Sequence, residues 1–361
     1  MENRIFNFAA GPCTLPVSAL KKAQEDFMDY EGAGMSLIEM SHRGEHYDKV
    51  HSAAMANVRE LLGVPDNYDV LLLQGGATLQ FAMIPMNFLP QGKTGEYVNT
   101  GTWAKKAISD GKKIGSTRVI WDNEADKYTR MPAAGEIKNS DDAAYVHLCS
   151  NETIGGIELQ EYPDTGDVPL IVDMSSNILS RPVPIEKISM IYAGAQKNMG
   201  PAGLGVVIIR KDLVEKAADN LPAYLSYKTH APKDSLYNTP PVFAIYMMKL
   251  TLDWMKDIGG LPALEDLAVK RSGAIYDAVD ESDGYFRCPV DKASRSRMNV
   301  VWRLPSEDLE KKFIKEALNA GFSGLKGHRS VGGCRASMYN AMPIEGAVSL
   351  AQFMLDFKKK N

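Results

Sequence analysis

At 361 residues the chain is long enough for a large core and more than one domain, and 45% hydrophobic with 24% charged residues is the balance of an enzyme-sized soluble protein. A net charge of -4 excludes bulk attraction to nucleic acid or anionic membranes, and no apolar run approaches the ~20 residues of a membrane span. Cys13, Cys149, Cys288 and Cys334 are scattered without a C-x-x-C pair, which argues against a zinc site or disulfide framework and for a reduced, cytoplasmic protein.

In chain order, "MENRIFNFAAGPCTLP" lacks the basic and then apolar pattern of a signal peptide. "YDVLLL" (68–73) reads as a short buried strand, and "ATLQFAMIPMNFL" (77–89) as a helix with Pro85 as a kink. "EYVNTG" (96–101) is a strand, followed by a helix in "TWAKKAISDGKK". Further strands are expected at 143–151, 169–176, 188–195 and 204–210. This alternation predicts an α/β fold with a mainly parallel sheet covered on both faces. The last two strands are joined by a short turn and are candidates for antiparallel pairing. A helical stretch from 242 to about 280 is broken at "DIGGLP". A strand at 297–305, a helix in "EDLEKKFIKEALNA" and a strand at 336–341 then form a small α+β unit. The predicted domain boundary lies near residue 260, with 16–260 as the large domain and 1–15 plus 261–361 as the small one.

Gly75 and Gly76 in "LLLQGGATLQF" stand between strand and helix. Ligands collect at the carboxyl ends of parallel strands, where free N–H groups and the helix dipole favour a phosphate. The signal is weak alone. The dinucleotide fingerprint G-x-G-x-x-G is absent, and "QGKTG" (91–95) fails as a P-loop because Asn87 holds the first glycine's position.

"PLIVDMSS" ends a buried strand in Asp173, and Lys197 follows a later strand in "YAGAQKNMGPAGLG". If the two strands are parallel neighbours, both residues share one sheet edge with Gly75–Gly76. An Asp–Lys ion pair, or a helix cap by Asp173, is the structural explanation. The functional one is pyridoxal phosphate (PLP), which needs a lysine for its aldehyde, a carboxylate for its ring nitrogen and a phosphate cup. Asp173, Lys197 and Gly76–Ala77 supply that set, and the small residues around Lys197 leave room for a cofactor.

"FNFAAGPCTLP", "SHRG", "HLCSNETIGGIE", "IYAGAQKNMGPAGL", "YNTPP", "SRMNV" and "KGHRSVGGCRASMYNAMP" together closely resemble the phosphoserine aminotransferase family, within the class-V aminotransferases of PLP fold type I. The match runs from residue 5 to the C-terminal region. The resemblance implies a large domain with a mainly parallel seven-stranded sheet flanked by helices, and a smaller α+β domain. It makes Lys197 the Schiff-base lysine and Asp173 the partner of the pyridinium nitrogen. It places Trp103 on the ring face and Thr153 near the phenolic oxygen. Gly76, Ala77 and Gln196 are expected to hold the cofactor phosphate. Asn238 and Thr239 would complete that cup from the second subunit of a homodimer. Thr239 before Pro240 also reads as a helix N-cap with proline at the first helical position.

For substrate anions the resemblance points to His42 and Arg43, again across the dimer, to His328 and Arg329, and to Arg335 as the fork on the α-carboxylate. Ala77 and Ala10 depart from members that carry Arg and Ser there, and Ala77 removes one possible positive charge. Arg295 and Arg297 are expected to be structural. The implied reaction is a ping-pong transamination: L-glutamate becomes 2-oxoglutarate, then 3-phosphooxypyruvate becomes O-phospho-L-serine in serine biosynthesis. Lys197 acts as base and acid. A second product, 4-phosphooxy-L-threonine, would feed pyridoxine synthesis. The alternatives are another class-V aminotransferase or lyase acting on a small anionic amino acid, with Cys334 the only thiol a desulfurase could use, and a PLP-binding protein without catalysis.

Overall fold

The computed structural model describes residues 4–361, so the first three residues of the predicted small domain lie outside the described residues. A seven-stranded sheet dominates, in the spatial order 68–74, 204–210, 190–194, 170–173, 143–149, 94–99, 117–122. Only Leu204–Arg210 runs antiparallel to its neighbours, Tyr68–Gln74 and Met190–Gly194. The other pairings are parallel. The sheet is thus mainly parallel, and the antiparallel pair anticipated at the last short turn is present. Thr117–Asp122 was not anticipated: it is an edge strand whose residues are half-buried or exposed, so "TRVIWD" lacks the continuous apolar run of the interior strands.

Alternation along each strand divides the sheet's apolar residues between two faces. Val70, Leu72, Val146, Leu148, Val172, Ile191, Val206 and Ile208 pack with Val50 and Val58 from Glu45–Leu62 and with Ile245 and Met248 from Val242–Asp257. Leu71, Tyr97, Tyr145, Ile171, Tyr192 and Val207 pack on the opposite face with Phe81 and Ile84 from Gly76–Phe88 and Ile108 from Thr102–Ile114. Burial on both faces explains why the central strands read as unbroken apolar runs.

A separate core gathers Phe8, Ile275, Val300, Trp302, Phe313, Phe322, Ala336 and Phe357. Its scaffold is the antiparallel pair Asn299–Trp302 and Cys334–Ser337 with the helices Gly260–Asp280, Glu307–Asn319 and Ile344–Lys360. The chain's beginning joins this unit, because Phe6–Asn7 pairs with Phe322–Ser323. Gly260–Asp280 serves both cores, through Leu261 and Leu264 at one end and Ile275 and Val279 at the other.

Two expectations need correction. The second strand of this unit is Cys334–Ser337 rather than 336–341, because the chain turns at Asn340–Ala341. The helix after "YNTPP" begins at Val242 with Pro241 as its N-cap, so Thr239 is not the cap and Pro240 is not the first helical residue. A proline forces the residue before it out of the helical region, and Pro241 does this to Pro240. Among the described residues no helix is long and apolar enough to cross a membrane.

Candidate active site

Tyr68–Gln74, Leu170–Asp173 and Met190–Gly194 run in the same direction, so their carboxyl ends meet at one edge of the sheet. A cavity of about 270 Å³ opens there, lined by Gly76, Ala77, Trp103, Asp173, Gln196 and Lys197 among others. Gly75 and Gly76 both have positive φ (89° and 58°), and a Cβ on Gly75 would lie 2.8 Å from Leu79. Glycine is required at Gly75 on both counts. The turn delivers the N-terminus of Gly76–Phe88 to the cavity.

Lys197 is 8% exposed, and its Nζ donates to Thr153 Oγ1 at 2.6 Å. No ion pair joins Lys197 to Asp173, so the structural explanation of the two residues as a salt bridge fails. Burial pulls the ammonium pKa down, and the negative charge of Asp173 opposes this only in part. The loop is fixed from below by Cys13, whose thiol donates to the Lys197 carbonyl at 2.6 Å.

Asp173 is 4% exposed, and its Oδ1 accepts from Ser175 N (2.8 Å) and Ser175 Oγ (2.6 Å). Both bonds fall on one oxygen and leave Oδ2 free of them. Burial raises the carboxyl pKa while the Ser175 donors pull it back. The Lys197 Nζ stands 5.2 Å from the centroid of the Trp103 ring.

Trp103 is positioned by a residue that sequence reasoning missed. Glu152 is wholly buried and accepts from the backbone N–H of Trp103 (3.1 and 3.2 Å) and Ala104 (2.9 Å). It thereby caps Thr102–Ile114 from 48 residues away in the chain. Burial pushes its pKa up to about 7 against the pull of those N–H donors. The local signal was an acidic residue just past the buried strand Ala143–Cys149. Its partner could not be read from spacing.

Arg335 is 8% exposed, its Nη1 donates to Thr153 O at 3.3 Å, and its Nε has no partner. Thr153 therefore contacts both Lys197 and Arg335. Arg335 and His328 line an adjoining cavity of about 490 Å³. His328 is half-buried, with Nδ1 2.7 Å from Ser330 Oγ, and burial with nearby Arg335 lowers its pKa. Arg329 is exposed. His42, Arg43, Asn238 and Thr239 line neither cavity. The Thr239 carbonyl accepts from Gln74 Nε2 at 3.0 Å, which ties that loop to the strand end beside Gly75.

Arg295 grips Asp280 with two bonds of 2.8 and 2.7 Å, and Arg297 pairs with Glu265 at 2.7 Å, as expected of structural residues. Cys334 is buried and its thiol pKa is pushed up, so nothing activates it as a nucleophile.

The arrangement fits pyridoxal phosphate: a desolvated amine, a carboxylate with a free oxygen, a flat indole and a glycine turn at a helix N-terminus surround one cavity. The class is equally plain from comparison, because the family model for class-V aminotransferases matches residues 5–350. A phosphoserine aminotransferase of Niallia circulans is 53% identical over 359 residues, covering 99% of each chain. The chloroplastic phosphoserine aminotransferase 1 of Arabidopsis thaliana is 48% identical over all of this chain and 84% of its own. The solved phosphoserine aminotransferase of Bacillus circulans subsp. alkalophilus superposes with a TM-score of 0.97 at 53% identity, covering 99% of each chain. The PLP-bound enzyme of Trichomonas vaginalis gives 0.93 at 40%, covering 97% of this chain and 99% of its own. The chain belongs to the phosphoserine aminotransferase family. It is a PLP-dependent transaminase of fold type I.

Proposed function

We propose that the protein transfers the amino group of L-glutamate to 3-phosphooxypyruvate, giving O-phospho-L-serine and 2-oxoglutarate for serine biosynthesis in the cytoplasm. The observation that carries this reading is the convergence of Lys197, Asp173, Trp103 and the Gly76 turn on one buried cavity. When bound, pyridoxal phosphate supplies an aldehyde for amine exchange and a ring that takes up the electron pair left at the substrate Cα. Lys197 Nζ takes the α-proton and returns it on the far side of that electron shift, and its lowered pKa keeps the amine available as a base. Asp173 would meet the ring nitrogen with the carboxylate oxygen that Ser175 leaves free. Trp103 would cover the ring, Thr153 orients the Lys197 amine, and Gly76, Ala77 and Gln196 would hold the phosphate.

Arg335 binds the α-carboxylate, and His328 takes the substrate's distal anion, with Arg329 adding charge at the mouth. His42, Arg43, Asn238 and Thr239 act across a homodimer. Two observations support the dimer: these residues miss their own chain's cavities, and Phe27, Met28, Ile38 and Phe243 are exposed. The two cores support the division into 16–260 and 1–15 with 261–361. Formation of 4-phosphooxy-L-threonine would use the same anion contacts.

The test is the visible absorbance of the purified, PLP-loaded protein before and after adding O-phosphoserine. Conversion of the yellow band to that of the amino form of the cofactor is expected. A response to glutamate but not to O-phosphoserine would keep the transaminase and discard the substrate.

A further inference from the structure

Beside Asp173 the sheet buries a polar pair that the reaction above does not use. Tyr192 lies directly opposite Asp173 in the parallel ladder between Leu170–Asp173 and Met190–Gly194. Paired residues on neighbouring strands rise from the same face, so phenol and carboxylate stand side by side. From the next strand, His147 brings Nε2 to 2.8 Å from Tyr192 Oη. Both side chains are buried. Burial lowers the imidazole pKa to about 3 and raises that of the phenol, so both are neutral.

With both neutral, two hydrogen arrangements exist. Either Tyr192 donates to Nε2, or Nε2–H donates to Tyr192 and frees the phenol hydrogen for Asp173. His147 Nδ1 is buried without a partner, and an orphaned acceptor costs less than an orphaned N–H, so the hydrogen sits on Nε2 and the second arrangement is selected. The phenol hydrogen is then free for Asp173, its neighbour in the ladder, whose Oδ1 is held by Ser175. Lys197, Glu152 and Cys149 also face Asp173, while Tyr97 and Tyr227 face Tyr192.

We propose that His147 and Tyr192 form a positioning relay that aims Asp173 and keeps it ionised toward the ring nitrogen of the cofactor. The relay rests on the reading that Asp173 faces that nitrogen.

The test uses holoenzyme reconstituted with cofactor labelled with ¹⁵N at the ring, following the ring-nitrogen chemical shift against pH. Tyr192→Phe removes the donor to a charged group. It is expected to bring loss of the ring proton down by about one pH unit and to weaken cofactor retention about tenfold. His147→Leu should shift the titration in the same direction by less. His147→Gln, whose amide N–H replaces Nε2–H, should stay near the wild type. Unchanged titration in Tyr192→Phe and His147→Leu would overturn the relay. Should Tyr192→Phe fail to fold, the two His147 variants decide alone, since identical behaviour of Leu and Gln removes the imidazole from the chain. A wild-type ring nitrogen that is unprotonated throughout would instead remove the Asp173 reading beneath it.

Discussion

Lys197, Asp173 and Trp103 stand at strand ends or on a capped helix of one chain, buried or half-buried and with their neighbours in place. The proposed substrate contacts Arg43 and Arg329 stand on exposed loops, and of that group only His328 and Arg335 line a cavity. The first group is organised by a sheet whose two faces are sealed, so geometry there is fixed by the fold itself. The second is organised by loops and, in the proposed dimer, by a second chain. Cofactor chemistry should therefore tolerate almost no change, and anion recognition should degrade in steps.

Lys197→Ala tests the rigid side of that contrast and should have the largest effect. Loss of the proton-transferring amine is expected to cut turnover by about 10²–10⁴-fold or more while leaving the oligomer intact by sizing chromatography. Wild-type turnover in this variant would remove Lys197 as the base. Arg335 joins the two regions, because it is buried like the floor but is proposed to bind substrate. Arg335→Ala should lower kcat/KM for O-phosphoserine about 10²-fold. Arg335→Lys should recover only part of that, since a point ammonium lacks the planar fork. Full recovery by lysine would mean that charge alone, and not a bidentate contact, is used there.

Glu152 sharpens the contrast through pH. Its folded pKa of about 7 lies above the ordinary 4.5, so between these values the native state holds a proton that the unfolded chain has lost. Raising pH through that window therefore favours unfolding, and the slope vanishes below about 4.5 and above about 7. Glu152→Gln keeps an acceptor for Trp103 N–H and removes the titration. Denaturant melts of the apoprotein should show the variant gaining on the wild type across this window, by at most about 3 kcal/mol. A constant difference would place the Glu152 pKa in its usual range. Gly101→Ala attacks the same cap by sterics. Gly101 has φ 152°, and a Cβ there would meet Glu152 Cδ at 2.9 Å. A loss of about 2 kcal/mol is expected, with weaker cofactor binding as Trp103 shifts.

Legibility in the sequence followed the same division. Interior strands such as 204–210 were readable because burial on both faces leaves unbroken apolar runs. Asp173 and Lys197 were readable because a charged residue at the end of such a run demands a reason. The edge strand 117–122 was not, because exposure removes the apolar run. Glu152 was hidden by distance, since its partners Trp103 and Ala104 lie on a different element. Thr239 misled because its capping chemistry is right for a helix that a second proline delays to Val242. The loop cations were recognisable only through resemblance, as a pair such as "HR" carries no periodic signal.

Arg329 offers the mildest test. It is adjacent to His328 in sequence, but His328 is half-buried and lines the cavity while Arg329 points its charge into solvent. An exposed guanidinium acts on an approaching anion through water and salt, where a unit charge loses most of its reach beyond ~8 Å at physiological ionic strength. Its contribution should therefore be steering and not contact. Arg329→Ala should change KM for O-phosphoserine less than about threefold, with the difference shrinking as salt is raised. His328→Ala should give a larger rise in KM that persists at high salt, because a half-buried contact is poorly screened. If the two variants behaved alike at every ionic strength, the mouth of the site would be as rigidly built as its floor, and the contrast between them would fall.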